Sequence, residues 1–337
     1  MSKKAQSQKE YAELHSHLGG ATPVADLWEI AHLEGIRLPT KEYNEFANLV
    51  SARGRRIRGV AALTEGPYYW TELIQSSPLS IERAVYRTLC GAYRASRVVV
   101  HELRFNPAKR NRGGERDLDH IITAALRGME RAQLEFPRLR AGLIFSLDRT
   151  FSRKLNEIIY EKALRYRSRG VVGIDLAGPQ NPSFRIEEYG DLFQEAQQRE
   201  LGVTIHTGEE GNLDEMRFVV ERIVPQRIGH GVLAARSARL TAMLAERGIT
   251  LELCPTSNLT LGVFRPARAL CAALGKLMRA GVRLTINTDG PAMYQTSVPQ
   301  EFTLLARACG WDPQALERAR KAAFAASFLK EATMVNA

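Results

Sequence analysis

Two histidines separated by one residue, His15 and His17, end a short apolar run and are followed by Gly19 and Gly20. Side chains two residues apart on a β-strand point to the same face. A strand that ends in this pattern presents two imidazoles side by side, which is half of a metal site. The rest of the chain has to supply the other ligands and a scaffold that brings them together.

Four further residues that can bind a metal or move a proton follow other short apolar runs. They are His206 and Glu209 in VTIHTGEE, His230 in RIGHG and Asp289 in LTINTDGP. The histidines without such a placement, which we expect to be structural or exposed, are His32, His101 and His120.

Three imidazoles and one carboxylate suit a borderline divalent cation, with zinc favoured over iron or manganese. The predicted ligands of one such ion per chain are His15, His17, His206 and Asp289. This set leaves a position for water, and the ion would lower the pKa of bound water toward about 7. His230 is then available to orient this water or take its proton, and Glu209 is the candidate proton donor.

These residues need a scaffold on which several strand ends meet. Counting the opening run, the chain alternates β-rich and helical patterns eight times. The later predicted strands cover residues 97–105, 139–147, 171–177, 203–206, 227–230, 249–253 and 282–287. Eight such units predict an α/β fold, a (β/α)8 TIM barrel, with its active site at the C-terminal ends of the strands. A doubly wound open sheet is the alternative.

We expect a single domain over residues 1–337, with a flexible tail at residues 1–10. Residues 22–96 form a predicted helical insertion after the first strand, which would lie over one mouth of the fold. Its aromatic residues Tyr68, Tyr69 and Trp70 either line a lid over the substrate or pack locally.

The composition is that of a globular protein, with 337 residues of which 45% are hydrophobic and 25% charged. No apolar run approaches the ~20 residues that a transmembrane helix needs. The polar start MSKKAQSQKE lacks the apolar region of a signal peptide. The four cysteines show no zinc-ribbon spacing. We therefore expect a cytoplasmic protein with reduced thiols and no membrane partner.

The net charge is +10, and the densest basic run is ARGRRIRG, with Arg53, Arg55, Arg56 and Arg58. A basic surface attracts nucleic acid or a phosphorylated substrate, but it also keeps a protein soluble. No aromatic-studded nucleic-acid module accompanies this run. A solvated face is therefore favoured over nucleic-acid binding.

The motifs HxH, VVGIDLAG, HTGE, GHG, CPTSN and NTD occur in that order, and together they resemble the adenosine deaminase family of the amidohydrolase superfamily. The resemblance implies a zinc-dependent deaminase on a TIM barrel, with the four ligands named above. It implies that Glu209 protonates a purine ring nitrogen, that His230 and Asp289 steer the nucleophile, and that the Gly178 N–H binds the opposite ring nitrogen. The products would be ammonia and a 6-oxopurine.

Two positions depart from the adenosine-specific pattern of that family. Gly290 stands where a second aspartate contacts the purine, and Gly19 stands where an acidic residue contacts the ribose 5′-hydroxyl. We expect Gly19 to leave space for a 5′ extension, so the predicted substrate is a 6-aminopurine nucleoside or nucleotide modified at the 5′ position. Glu210 or a water could replace the missing carboxylate.

Two other functions remain open from the sequence. The same barrel could deaminate another aminated ring such as a pterin, because Glu209 argues for deamination without specifying the ring. A protein of a different class, either non-catalytic or binding nucleic acid, is disfavoured by the intact set of candidate metal and proton-transfer residues.

Overall fold

A computed structural model describes residues 9–55, 57–112, 117–211 and 213–329. Within these ranges eight parallel strands pair in chain order, each with the next. They are β1 (Tyr11–His17), β2 (Val98–Phe105), β3 (Arg140–Asp148), β4 (Val171–Ala177), β5 (Gly202–Thr207), β6 (Arg227–His230), β7 (Thr250–Leu253) and β8 (Arg283–Ile286). The predicted (β/α)8 barrel is confirmed.

The barrel closes where the segment after β8 meets β1. Asp289 forms a parallel bridge with Ser16. The His17 N–H donates to the Asp289 carbonyl at 2.7 Å, and the Asp289 N–H donates to the His15 carbonyl at 2.9 Å. These bonds join the segment after the last strand to the first strand. The alternative prediction of an open, doubly wound sheet is therefore wrong.

Helices cover the outside of the barrel and one of its ends. Those before β4 are α1 (Leu18–Ala21), α2 (Val24–Leu33), α3 (Tyr43–Leu49), α4 (Gly59–Glu65), α5 (Pro67–Ile74), α6 (Pro78–Ser96), α7 (Leu118–Glu135) and α8 (Arg153–Arg165). Those after β4 are α9 (Gly190–Gln198), α10 (Leu213–Phe218), α11 (Ala238–Glu246), α12 (Pro255–Thr260), α13 (Ala267–Arg279), α14 (Pro291–Tyr294), α15 (Val298–Cys309) and α16 (Pro313–Ala325).

The segment 22–96, predicted as a helical insertion after the first strand, contains α2 to α6. Its two short helices α4 and α5, here called the roof, contribute Val60, Leu63, Tyr68 and Glu72 to a pocket at the C-terminal end of the barrel. No helix in the described part of the chain is both long enough and apolar enough to cross a membrane.

The predicted tail and the basic run fall partly outside the described residues, namely at residues 1–8 and at Arg56. Glu10 is not loose, because its carboxylate pairs with Arg97 at 2.9 Å and Arg138 at 2.8 Å. In the basic run, Arg53 donates to the Gln295 side chain at 3.1 Å.

The barrel interior is polar beneath the strand ends. Arg104 on β2 is fully buried and donates to Asp175 on β4 at 3.2 Å and to Glu252 on β7 at 2.8 Å. Arg227 on β6 donates to Glu102 at 2.6 Å, and its Nε lies at ion-pair distance, 2.6 Å, from the other Glu252 oxygen. Buried charges are tolerated only when they are paired in this way, and removal of one partner costs about 3–5 kcal/mol.

The cysteines differ from the prediction of reduced thiols. Cys271 on α13 and Cys309 at the end of α15 form a disulfide, with their Cα atoms 4.9 Å apart. Cys90 and Cys254 are free and buried. The sequence does not reveal the pair because its members are 38 residues apart, and only the packing of α13 against α15 brings them within the usual Cα distance of about 4.4–6.8 Å.

Candidate active site

The four predicted metal ligands converge at the C-terminal ends of β1, β5 and β8. His17 Nε2 lies 3.0 Å from His206 Nε2. Asp289 Oδ1 lies 3.8 Å from His15 Nε2 and 3.6 Å from His17 Nε2. His15, His17 and Asp289 place their ligand atoms within 4.8 Å of one another, a spacing that can hold a metal ion, and His206 adjoins this group through His17.

Buried carboxylates hold two of the imidazoles from behind. His15 Nδ1 lies 2.7 Å from Glu252 Oε2, and His206 Nδ1 lies 2.9 Å from Asp175 Oδ1. Each carboxylate accepts a hydrogen bond from the imidazole Nδ1–H. The Nε2 lone pair of the ring is then directed at the candidate metal position. Arg104 donates to both carboxylates, so a single guanidinium fixes the support of two ligands.

This donor set fits a zinc ion. Ligands at about 2.0–2.1 Å from a tetrahedral zinc lie about 3.3 Å from one another, close to the separations given above. His15 Nε2 is buried and has no hydrogen-bond partner among the described residues, which is costly unless an ion fills that role. A carboxylate behind an imidazole is also the usual outer arrangement of a zinc site.

The titration of the imidazoles agrees with metal binding. Burial lowers the pKa of His15, His17 and His230 well below the ordinary value, and the neighbouring histidines and Arg104 act in the same direction. The imidazoles are therefore neutral, which is the form that binds a metal. Burial raises the pKa of Asp289, and the Ser257 hydroxyl donates to its Oδ2 at 2.6 Å.

The candidate proton donor lies beside the candidate base. Glu209 is 7% exposed, and its Oε1 lies 3.5 Å from His230 Nε2. Burial raises the pKa of Glu209 well above its ordinary value, and the charges of Asp289 and Glu210 add to the effect. Burial therefore favours the protonated form of this carboxyl group, which is the form that can donate. His230 Nδ1 lies 3.0 Å from the Asn258 amide nitrogen, which orients the ring.

Gly178 follows β4 and lines the same pocket as the candidate catalytic residues. Its φ is +92°, and a Cβ at this position would lie 2.8 Å from the Asp148 carboxylate. Both the backbone conformation and the space therefore require glycine. The contact between its N–H and a substrate ring nitrogen stays a prediction.

The expectation that Gly19 leaves space for a 5′ extension is wrong. A Cβ on Gly19 would lie 2.7 Å from the Tyr68 ring and 3.2 Å from Arg110 Nη2, so these side chains already fill the space. A Cβ on Gly290 would lie 3.0 Å from the Gly20 Cα, so glycine there permits two backbone segments to approach. Neither Gly19 nor Gly290 lines the pocket.

Several polar residues of the pocket were not predicted from the sequence. Lys109 and Arg110 follow β2, and Arg149 follows β3. Lys109 pairs with Asp148 at 2.6 Å, and Arg149 pairs with Glu215 at 2.8 Å. Arg110 is 2% exposed, and its Nε and Nη1 have no hydrogen-bond partner among the described residues.

The nearest carboxylate to Arg110 is that of Glu72, whose Oε1 lies 3.7 Å from Nη1. Of the three aromatic residues of the insertion, Tyr68 lines the pocket and is close to His17, with ring centroids 6.4 Å apart. Tyr69 is exposed and packs on Trp70. Glu210 also lines the pocket, but its Oε2 accepts from the Val60 N–H at 3.1 Å.

The carboxylates behind the metal ligands were also missed, although the sequence carries a signal for them. Asp175 and Glu252 interrupt apolar strands, in VVGIDLA and TLEL. A charged residue inside a buried strand is rare unless it is paired. Glu13 belongs to the same group, since its carboxylate accepts from the His15 N–H at 3.0 Å and the Thr288 hydroxyl at 2.6 Å.

The fold and this site define a metal-dependent hydrolase of the amidohydrolase class. The defining features are the eight-stranded βα barrel, the clustered histidines, the carboxylate after the last strand and the buried carboxylates that hydrogen-bond to the imidazoles. The family model described as adenosine deaminase matches residues 11–335. The chain belongs to the adenosine deaminase family and is a hydrolytic deaminase.

Individual relatives resemble the chain over nearly its whole length. An adenine deaminase of Rhizobium rhizogenes is 30% identical over 97% of this chain and 97% of its own. A probable adenosine deaminase of Dictyostelium discoideum is 27% identical over 96% of this chain, which spans 41% of that longer protein. The crystal structure of an Arabidopsis N6-mAMP deaminase shares the fold, with a TM-score of 0.81, 23% identity and coverage of 96% of this chain and 93% of its own.

Proposed function

We propose that this protein is a zinc-dependent aminohydrolase that converts a 6-aminopurine nucleotide to the 6-oxopurine with release of ammonia. The observation that carries the proposal is the convergence of His15, His17, His206 and Asp289 beside Glu209 and His230. When bound, the ion would supply an activated water as the nucleophile.

The side chains around the centre provide the proton transfers of such a reaction. Glu209, whose protonated form is favoured by burial, donates to the ring nitrogen beside the amino-bearing carbon and makes that carbon electrophilic. His230 and Asp289 take the proton of the attacking water. The oxygen–carbon bond then forms. The amino group receives the proton that was taken from the water and leaves as ammonia when the carbon–nitrogen bond breaks, and the remaining hydroxyl proton restores Glu209 as the 6-oxo group forms.

The surroundings of Arg110 favour a substrate that carries an anionic group. Its guanidinium is buried in the pocket, and its Nε and Nη1 have no hydrogen-bond partner among the described residues. Burial lowers the pKa of Arg110, which reflects the cost of keeping the cation there. A phosphate would offset that cost with charge-assisted hydrogen bonds. An Arabidopsis protein with the same fold is named N6-mAMP deaminase.

A second candidate substrate is free adenine. The relative from Rhizobium rhizogenes is named adenine deaminase. Tyr68 fills the region beside Gly19, and a pocket shortened there would suit a base without a sugar.

The test is ammonia release by the zinc-loaded enzyme from AMP, adenosine, 5′-thioether adenosines, adenine and a pterin. Glu209→Gln keeps the size of the side chain and should lower kcat by about 10²–10⁴-fold, the usual contribution of a general acid, while zinc stays bound. A variant with the wild-type rate would refute the proton-donor role. Turnover of the pterin alone would refute the purine proposal.

Arg110→Gln tests the anionic group. We expect kcat/KM for AMP to fall by about 10–100-fold, because a hydrogen bond to a charged group contributes about 1.5–3 kcal/mol, while the value for adenosine or adenine stays within twofold. Arg112→Gln is the matched control, because Arg112 lies in the same segment over the exposed Tyr69 ring, 5.4 Å from its centroid. Equal losses for AMP and adenine would contradict phosphate recognition by Arg110.

Two further predictions from the sequence accompany this proposal. A cytoplasmic location stays a prediction, and so does the absence of nucleic-acid binding by the basic run. A gel shift at increasing salt tests the second, since binding through phosphate contacts weakens steeply with salt.

A further inference from the structure

Glu210 lies at the junction between the barrel and the roof. It follows the candidate proton donor Glu209 directly, in the segment after β5. Its side chain extends to the first turn of α4, where Oε2 accepts a hydrogen bond from the Val60 N–H at 3.1 Å. This contact spans 150 residues of sequence.

Gly59, the first residue of α4, permits this approach. A Cβ on Gly59 would lie 2.9 Å from Glu210 Oε2, and the φ of Gly59 is +78°. Any other residue there would be strained and would press on the carboxylate. The beginning of α4 is therefore shaped to receive the Glu210 side chain.

The first N–H groups of a helix have no partner within the helix and carry partial positive charge. A carboxylate that accepts one of them forms a charge-assisted bond, stronger than a neutral one. Among the described residues, no cationic side chain lies within ion-pair distance of Glu210. The hydrogen-bond donor to its carboxylate is the Val60 N–H in the first turn of α4.

We propose that Glu210 is a positioning residue that locks the roof to the segment carrying Glu209, so that closure of the pocket and placement of the proton donor occur together. The roof helix α4 lines the pocket with Val60, Leu63 and Thr64. Loss of this hydrogen bond would make both α4 and the segment after β5 more mobile, because the Glu210 side chain connects them. The proposal rests on the proposed function for its catalytic consequence, but the mechanical link is independent of the substrate.

Two substitutions separate the bond from the charge. Glu210→Ala removes the acceptor, whereas Glu210→Gln keeps a carbonyl oxygen that can accept from the Val60 N–H. The matched control is Glu65→Ala, which removes an exposed carboxylate at the other end of α4. Circular dichroism checks that each variant is folded.

The primary measurement is hydrogen exchange of the zinc-loaded enzyme without substrate. Glu210→Ala should exchange about 10–100-fold faster in both residues 57–66 and residues 207–211, because a lost hydrogen bond to a charged group corresponds to that factor. Glu65→Ala should match the wild type, and Glu210→Gln, which keeps a neutral acceptor, should exchange at rates between those of the wild type and Glu210→Ala. Unchanged exchange in either segment of Glu210→Ala would overturn the proposal, whatever substrate the enzyme takes.

Steady-state kinetics test the catalytic consequence. With the substrate found in the ammonia-release screen, Glu210→Ala should raise KM and lower kcat, each by about tenfold or more, as expected when a step of assembly fails. Glu210→Gln should recover most of both values. Wild-type kcat in Glu210→Ala, despite faster exchange, would overturn the positioning role. A failure of the purine proposal appears separately, as no turnover by the wild type.

Discussion

His101 provides a quantitative test of the barrel wall. It lies on β2, where its Cα is the register partner of Glu13 on β1, and it is 1% exposed. Burial lowers its pKa from 6.5 to about 3. The folded protein therefore keeps His101 neutral at a pH where the unfolded chain protonates it.

The sign and size of the effect follow from linkage. A histidine whose pKa is lowered by folding destabilises the protein as the pH falls below 6.5, and the loss grows until the pH reaches the folded value. At pH 5 the unfolded pKa is about 1.5 units higher than the pH, and each unit corresponds to about 1.36 kcal/mol, so the loss is about 2 kcal/mol relative to pH 8. The result depends little on the folded value, provided that it lies below about 4.

The measurement is urea unfolding of the wild type and His101→Val at pH 8 and pH 5, both with the same zinc content. Whatever the difference between the two proteins at pH 8, we expect it to move by about 2 kcal/mol in favour of the variant at pH 5. Val99→Ala, a neighbouring strand substitution without an ionisable group, should show no such shift. A change below about 0.5 kcal/mol would refute the reasoning, because it would mean that folding leaves the pKa of His101 close to its ordinary value.

Three further predictions concern the metal centre and the cysteines. Removal of zinc by a chelator should lower the thermal midpoint reversibly, since a ligand at 100 times its Kd stabilises by about 2.7 kcal/mol; a midpoint independent of zinc would contradict a resident ion. Asn258→Leu should lower kcat by about 10–100-fold, with little change in KM, because His230 loses the hydrogen-bond partner of its Nδ1. This factor is the one found when a metal-binding imidazole loses such a partner. An unchanged kcat would exclude an orienting role of Asn258. Thiol titration of the denatured protein should find two thiols before reduction and four after it, because Cys271 and Cys309 are paired; four thiols before reduction would refute the disulfide.

The sequence was sufficient for the barrel and the centre because both depend on local patterns. Eight alternations of strand and helix specify closure, and parallel strands carry their C-terminal ends to one side. Residues placed at those ends, such as His206 and Asp289, must then meet. Each prediction needed only the position of a residue relative to its own strand.

The pocket walls were not predictable in this way. Tyr68 and Arg110 lie in segments without regular periodicity, and their approach to Gly19 depends on how the insertion packs. The hydrogen bonds of Arg104 inside the barrel could not be predicted either, because its partners Asp175 and Glu252 are 71 and 148 residues away in the sequence. A charged residue in a strand signals that a partner exists, but only the closed barrel specifies which one.

The closing seam of the barrel has a consequence for synthesis. His15 and His17 belong to the first strand, whereas Asp289 follows the last, and the backbone bonds between these segments complete the ring. A nascent chain that has not yet produced β8 carries the three histidines but neither the carboxylate nor the closed wall behind it. Prematurely terminated chains would therefore lack the complete centre, and hydrolytic activity would report that translation has reached the end of the barrel.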